Sequence, residues 1–369
     1  MTGAKRTGAE RGRVSDEPRP TDARRVGGNR ELAGAEQEGE ERADSGTDGV
    51  RAGVERDEAT RRDSNALAAA AENPCARFLF VSGSRVAVEP GAERVLGLSA
   101  GCVAPEARRR AVYLGLVDGA PYFACDVGDA DDSARDPRVV SRAIPAASRP
   151  AAVAEGDERA WSVSADFASV PLTSHLWPSV EAELAVEAVA ISNWIGGTRF
   201  CHRCGEPLSL RSGGWEMVCG RGHTVFPRVD PAVIMAVRDA EDRLLLARNG
   251  RWAPGRLSVL AGFVEAGEPL ESAVAREVLE ETGVVVDDVA YVTSQPWPFP
   301  RSLMLAFEGR TRARQEDVKV DGEELVFARF FSREEFSGAL ASGEIGLPTP
   351  TSVSARLIER WLGRPLTDV

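Results

Sequence analysis

Glu277, Glu280 and Glu281 stand close together in one stretch, GFVEAGEPLESAVAREVLEETGV, which runs from Gly262 to Val284. Leu270, Val274 and Val278 recur there at four-residue spacing, which predicts a helix with one face on a core. Pro269 falls where the first helical residue would be, and Gly283 where a left-handed residue would end the helix. On such a helix Glu277 and Glu281 stack one turn apart, with Glu280 three residues from Glu277. Like charges this close repel one another, and no neighbouring lysine offsets them. A solvated acidic face is the ordinary meaning of such a run. The chemistry that rewards the cluster is a hard divalent cation, which takes carboxylate oxygens.

A second cluster offers softer ligands. Cys201 and Cys204 form a Cys-x2-Cys pair, followed by Cys219, Gly222 and His223. That is the spacing of a zinc ribbon, except that Gly222 stands where a fourth cysteine would complete it. His223 is the obvious substitute and gives a Cys3His set for Zn2+; the alternative is a ribbon that keeps its shape without metal. His202 lies between two ligand positions in a tight turn that would aim it outward, and the isolated His175 reads as a surface or packing residue. A third stretch, Ser294-Gln295-Pro296-Trp297-Pro298-Phe299-Pro300-Arg301-Ser302, carries three prolines at alternate positions. They predict an extended, stiff backbone presenting Trp297 and Phe299 to a flat heterocycle. The competing reading is a proline-rich edge loop with its aromatics in the core.

These residues need elements to position them. At 369 residues the chain is longer than a single core usually grows. A net charge of −12 argues against gripping nucleic acid by bulk electrostatics, so phosphate chemistry must run through metal and local arginines. There is no apolar run of membrane-spanning length and no secretory signal core, and the dispersed cysteines suit a reducing cytoplasm. Residues 1–75, poor in aromatic and large aliphatic residues, are expected to be a disordered extension. Residues 76–198 read as a mixed α/β domain, with a hairpin about Asp118-Gly119, loop-like residues at 126–160, and a helix over Ser179–Trp194. The ribbon follows at 199–228. Strand-length apolar runs flank the acidic helix in 229–369, with a capping box at Ser332 and Glu335 and a last helix from about Ser352.

The acidic stretch resembles a complete Nudix box, the motif of enzymes that hydrolyse a nucleoside diphosphate linked to another group. With SQPWPFPxS just beyond it, and a zinc ribbon and a PRxDP segment before it, the chain is similar to the NADH pyrophosphatases, the NudC-type Nudix hydrolases, from about residue 76 to 360. The resemblance implies an α/β (α+β) protein: a Nudix α/β/α sandwich preceded by a zinc ribbon and a smaller mixed α/β domain, assembled as a homodimer. It implies a Mg2+- or Mn2+-dependent cut of the NAD(H) pyrophosphate to NMN(H) and AMP, and members of that family also remove NAD caps from RNA. Carried onto this chain, Glu277, Glu280 and Glu281 hold the ions, with the Ala261 carbonyl and Glu324 completing their shell. One box glutamate, Glu281 or Glu280, accepts the proton, and Arg276 orients neighbouring carboxylates. Phe226, Phe263, the run Gln295, Pro296, Trp297, Pro298, Phe299, Pro300, Arg301 and Ser302, and Ser354 line the nucleotide pocket. Departures are Ser354 for the usual Ala, Phe226 for a commoner Tyr, Arg301 at a variable position, and Gly222. Alternatives are a module that senses NAD or ADP-ribose without cutting it, a hydrolase of another nucleoside diphosphate derivative, and a ribbon that binds nucleic acid, though residues 205–222 carry only Arg211 and Arg221 beside Trp215.

Overall fold

The computed structural model describes residues 53–91, 93–128, 165–320 and 322–368. It opens with two short helices, α1 (Glu58–Arg62) and α2 (Ser64–Glu72). The Asp57 carboxylate accepts from the Thr60 N–H to start the first, and Asp63 accepts from Asn65 and Ala66 to start the second. Strands β1 (Arg77–Ser82), β2 (Arg85–Val88), β3 (Leu98–Ser99), β4 (Val112–Val117), β5 (Ala120–Asp126) and β6 (Asp166–Ser169) build the first sheet. Its order is β4-β5-β1-β2-β6, with β3 also on β1 and only the β1–β5 pair parallel. Asp118 and Gly119, at φ 50 and 78, make the predicted turn between β4 and β5.

Side chains alternate across β1, so its two faces feed different cores. Leu79 and Val81 enter a core with Leu184, Ala188 and Ile191 of the helix over Ser179–Gly197, while Phe78 and Phe80 enter another with Tyr113 and Phe123. That long helix is α5, preceded by α3 (Pro105–Arg110) and α4 (Val170–Thr173). The Phe78 face is covered by Leu67, Ala70 and Ala71 of α2 and Ala107 of α3. Residues 53–75 therefore depart from the expected disordered extension; residues 1–52 lie outside the described residues, as do 129–160 of the expected loop. The physical reason is that α1 and α2 need no core of their own. A few small apolar side chains suffice to close a sheet face that already exists, and Arg56 and Arg61 reach across to the buried Glu187 of α5.

The ribbon strands β7 (Leu208–Arg211), β8 (Glu216–Cys219) and β9 (Thr224–Val225) form a separate three-stranded sheet. They lean on the first sheet: Met217 enters its core, and the Trp215 indole N–H donates to the Tyr113 carbonyl at 2.8 Å. The Arg61 guanidinium lies 4.0 Å over the Trp215 ring, so α1, the ribbon and the first sheet meet at one point.

Strands β10 (Asp230–Arg238), β11 (Leu244–Asn249), β12 (Leu260–Phe263), β13 (Asp288–Trp297), β14 (Ser302–Arg310) and β15 (Leu325–Phe331) make the last sheet, ordered β13-β14-β10-β11-β15 with β12 on β10. Val233, Met235 and Val237 of β10 pack beneath α6 (Leu270–Thr282), while Ile234 and Ala236 pack against α7 (Arg333–Ala341) and α8 (Val353–Leu362) on the other side. Helices on both faces make the expected α/β/α sandwich. Ser332 and Glu335 close the predicted capping box before α7.

The proline stretch is not extended throughout. Pro296 sits in the edge strand β13, where a missing N–H costs little, and the chain then turns through residues 298–301 into β14, with Trp297 opposite Ser302. Phe299 packs against the core of the first sheet, and Asn193 of α5 donates to the Pro298 carbonyl at 3.2 Å. The hairpin tip thus docks one sheet's domain on the other's helix.

Burial pushes the Glu187 carboxyl up to about 7, against the pull of Arg56 and Arg61. Its folded value lies above that of an exposed glutamate, so this group costs stability as pH rises between about 4 and 7. Deleting residues 1–75 removes both arginines and uncovers the Phe78 face. Abandoning one partner of a buried ion pair costs roughly 3–5 kcal/mol. Thermal melts are expected to show a Tm lower by at least about 6 °C, with a larger deficit at pH 8 than at pH 5. An unchanged melting curve would show that the two helices are dispensable.

Candidate functional site

The acidic helix begins with Pro269 as its cap rather than its first residue, and ends at Gly283, whose φ of 69 is left-handed and whose N–H donates to Leu279. Ala273, Val274 and Val278 are buried against the sheet. This packing turns Glu277 and Glu281 toward β12 and leaves Glu280 61% exposed. β12 accommodates Glu277 through Gly262. A Cβ there would lie 1.9 Å from the Glu277 carboxyl carbon, so only glycine lets that carboxylate rest against the strand.

Arg276 supplies the positive charge missing from the lysine count. Its guanidinium donates to both Glu268 oxygens at 2.8 and 2.9 Å, to Glu277 at 2.9 Å, to Glu280 at 3.1 Å, and to the Phe263 carbonyl at 2.9 Å. Hydrogen bonds from Arg276 hold the Glu268 carboxyl down to about 2. Glu277 is raised instead, first by burial and then by the charges of Glu280 and Glu324, with Arg276 pulling the other way. Arg276 thus holds Glu268 in its ionised form, while Glu277, with Glu280 and Glu324 near it, keeps a surplus of negative charge around it. The surplus and the glycine cradle both fit a divalent cation in the donor set of Glu277, Glu281, Glu324 and the Ala261 carbonyl.

A cavity of about 270 Å³ adjoins this helix. Of the sequence-predicted residues, Ala261, Glu281, Glu324, Gln295, Trp297 and Ser354 line it. Glu281 is buried, and Glu324 accepts from Asn249 at 3.4 Å. Ser354 is buried too and shares a 2.7 Å hydrogen bond with Ser258. Gln295 spends its amide on the backbone: Nε2 donates to the Thr351 carbonyl at 2.6 Å, and Oε1 accepts from Val353 N–H at 2.7 Å. It therefore clamps the start of α8 as one wall.

The remaining predicted residues lie elsewhere. Phe263 shares the Ala261 face of β12 but is 60% exposed beyond the cavity, and Phe226 is 65% exposed. Pro296, Pro298, Phe299, Pro300 and Ser302 belong to the docked hairpin, and Arg301 donates to Asp230 at 2.6 Å. Conversely, the cavity contains Trp252, Arg256, Ser258, Thr349 and Ser352, none of which carried a motif. The one available signal was Trp252 beside a Pro-Gly turn, an aromatic in a loop of few apolar residues.

In the ribbon the ligand atoms of Cys201, Cys204, Cys219 and His223 all lie within 4.8 Å of one another. Cys204 Sγ and Cys219 Sγ are 3.6 Å apart, as are Cys201 Sγ and His223 Nδ1. Two sulfurs each ~2.3 Å from a tetrahedral zinc would be separated by ~3.8 Å. Burial by itself raises the Cys201 thiol, but the N–H groups of Arg203 and Cys204 and the His223 ring outweigh it and bring it down to about 6. Gly222 occupies a left-handed turn at φ 78, donating to Cys219 at 2.9 Å, and this turn delivers His223 into the set. His202 and His175 are both exposed.

The glycine cradle gives a direct test. In Gly262→Ala the new methyl meets the far end of a flexible side chain, so the fold survives and the Glu277 carboxylate moves. Mn2+ binding measured by calorimetry is expected to weaken at least ~10-fold, about 1.4 kcal/mol, with Tm within a few degrees of the parent. Unaltered Mn2+ affinity would separate Glu277 from the ion.

Comparison with known proteins bears on the whole chain. Residues 228–348 match the NUDIX domain model. The NAD-capped RNA hydrolase NudC of Mycobacterium bovis (strain BCG / Pasteur 1173P2) is 37% identical over 321 residues, covering 84% of this chain and 93% of that protein. The NAD-capped RNA hydrolase NUDT12 of Macaca fascicularis is 38% identical over 195 residues, covering 49% of this chain and 42% of that one. A solved NUDIX hydrolase from Nitrosomonas europaea aligns with 46% of this chain and 95% of its own at a TM-score of 0.36 and 21% identity. With the box on its helix, the cavity beside it and a relative matched over nearly its full length, the chain belongs to the NudC-type Nudix hydrolases.

Proposed function

We propose that this protein hydrolyses the pyrophosphate of NAD(H) to NMN(H) and AMP, and acts on the same bridge in NAD-capped RNA. The observation that carries the reading is the meeting of Glu281 and Glu324 with Trp297 and Trp252 in one cavity. Carboxylates for a metal-held bridge and flat rings for a base then face a single dinucleotide. Glu277, Glu281, Glu324 and the Ala261 carbonyl are the residues that would hold Mg2+ or Mn2+. Such an ion supplies charge neutralisation at the phosphoryl oxygens and a more acidic water. Glu281 suits proton acceptance better than Glu280, because it lines the cavity while Glu280 is turned outward onto Arg276. Arg276 stays protonated and keeps Glu268, Glu277 and Glu280 from drifting apart.

Glu281→Gln is expected to lower kcat at least ~100-fold in a folded protein. Chromatography of the parent reaction is expected to give AMP and NMN(H). ADP-ribose with free nicotinamide would mean glycosidic cleavage and would overturn the reading; so would a fully active Glu281→Gln enzyme.

The Cys3His set is proposed as a structural zinc site that holds the ribbon beneath the first sheet. The exposed Phe200, Phe226 and Val229 are proposed to be covered by a second copy in the homodimer that the family resemblance implies. Metal analysis is expected to find about one zinc per chain, lost in His223→Ala together with thermal stability. A zinc-free protein indifferent to chelator would make Gly222 the mark of a lost site.

A further inference from the structure

Trp297 lines the cavity, yet among the described residues it belongs to none of the hydrophobic cores. Its ring meets Phe299 edge-on, with centroids 5.1 Å apart and an interplanar angle of 85°. A large ring outside any core keeps its direction through the backbone that carries it and through what holds that backbone.

The backbone here has little means of holding itself. Pro296, Pro298 and Pro300 have no N–H, so between Pro296 and Pro300 only Trp297 and Phe299 can donate. Phe299 spends its N–H on the Trp297 carbonyl at 2.7 Å, and Trp297 stands on the last rung of the sheet, opposite Ser302. Because β13 is an edge strand, the sheet pairs with it on one side only. The stretch is fixed by contacts that reach it from elsewhere.

Those contacts lead to the first domain from both sides of Trp297. On the far side, Asn193 of α5 donates its side-chain N–H to the Pro298 carbonyl at 3.2 Å. Pro298 is buried, and a buried carbonyl without a donor is costly. Phe299 then packs against the core to which Ile191 and Trp194 of the same helix belong. On the near side, Gln295 donates to the Thr351 carbonyl at 2.6 Å, and the Thr351 hydroxyl donates to Pro171 of α4 at 2.9 Å. Asn193 is the closer anchor, since it holds the residue bonded directly to Trp297.

We propose that Asn193 is a positioning residue for the reaction: by holding the Pro298 carbonyl it fixes the Trp297 ring in the cavity wall. The proposal rests on the dinucleotide reading above, in which that ring faces a base of the substrate. Glu277 takes its place from Arg276 and Gly262, which are no part of this hairpin. Loosening the hairpin therefore weakens reception of the base and spares the chemical step.

Steady-state NAD+ hydrolysis by the full chain at saturating Mn2+ tests this with the parent, Asn193→Leu, Trp297→Ala and the double variant. Asn193→Leu is expected to raise KM at least ~5-fold, the effect of leaving one buried carbonyl without its donor. Its kcat should stay within about twofold of the parent, a split that general loss of structure would not produce. In the Trp297→Ala background the same change should alter KM by less than about twofold, because its effect passes through the missing ring. A parental KM in Asn193→Leu overturns the proposal, as does a loss confined to kcat or a KM increase that persists in full without Trp297. Should Asn193→Leu fail to fold, Asn193→Ser, whose hydroxyl is too short to reach Pro298, is read in the same way. Two controls are scored separately. No NAD+ hydrolysis by the parent, or a parental KM in Trp297→Ala, defeats the reading of the site and this proposal together. A raised KM in Trp297→Ala beside a parental KM in Asn193→Leu defeats the role of Asn193 alone.

Discussion

Carboxylate repulsion is the constraint on which this site depends. Four acidic side chains, Glu268, Glu277, Glu280 and Glu324, converge on the end of one helix and the strands beside it, and such a gathering flies apart unless something opposes it. Arg276 opposes it from inside the helix. Because its guanidinium is planar and permanently charged, a single side chain reaches three glutamates and the Phe263 carbonyl in one set of fixed directions. The neutralisation is uneven. Glu268 is drawn far into its ionised form, while burial still lifts Glu277. What remains beside β12 is a carboxylate with like charges near it, resting in the space that Gly262 leaves open.

The cavity wall is built from segments far apart in the chain, and each is secured by polar contacts to its neighbours. Gln295 of β13 holds Thr351 and Val353, and Thr351 donates its hydroxyl to the Pro171 carbonyl of α4 at 2.9 Å. Phe299 at the hairpin tip packs into the core of the first sheet. The first sheet therefore acts on the site without contributing to the chemistry. It fixes the hairpin that carries Trp297 and the segment that leads into α8. A site set between a hairpin tip and a helix start gains from such outside support. α8 is anchored in its own core by Leu357, Ile358 and Trp361, whereas the hairpin tip is held by its contacts with the first sheet and α5.

The box helix, the α/β/α layers and the convergence of the ribbon's Cys3His set were legible in the sequence because each rests on short-range spacing. Val274 and Val278 at helical period, Val233, Met235 and Val237 at strand period, and Cys201 with Cys204 are local patterns whose geometry follows from backbone periodicity. What escaped depended on partners distant in the chain. The polar, alanine-rich helices at 58–72 read as disordered because their apolar content is low. Their stability comes from closing a face that Phe78 and Phe80 share with Tyr113 and Phe123 of strands farther along the chain, which no window around the helices contains. Phe299 read as a stacking residue because its prolines looked stiff, whereas its partner is α5, over a hundred residues earlier. Trp252 and Arg256 lay in an unpatterned loop, and only the pairing of that loop with Gly346 reveals that it forms a wall.

That wall also mixes charge with rings. Glu281 and Glu324 line the cavity together with Trp252, Trp297 and the guanidinium of Arg256, which lies 5.4 Å over the Trp252 ring. Carboxylates draw cations, and a phosphate approaches them only with a cation between, whereas a guanidinium attracts anions unaided. A lining that carries both signs of charge beside aromatic rings therefore disfavours a ligand with a single kind of group, and suits one that joins phosphates to a flat base in the same molecule.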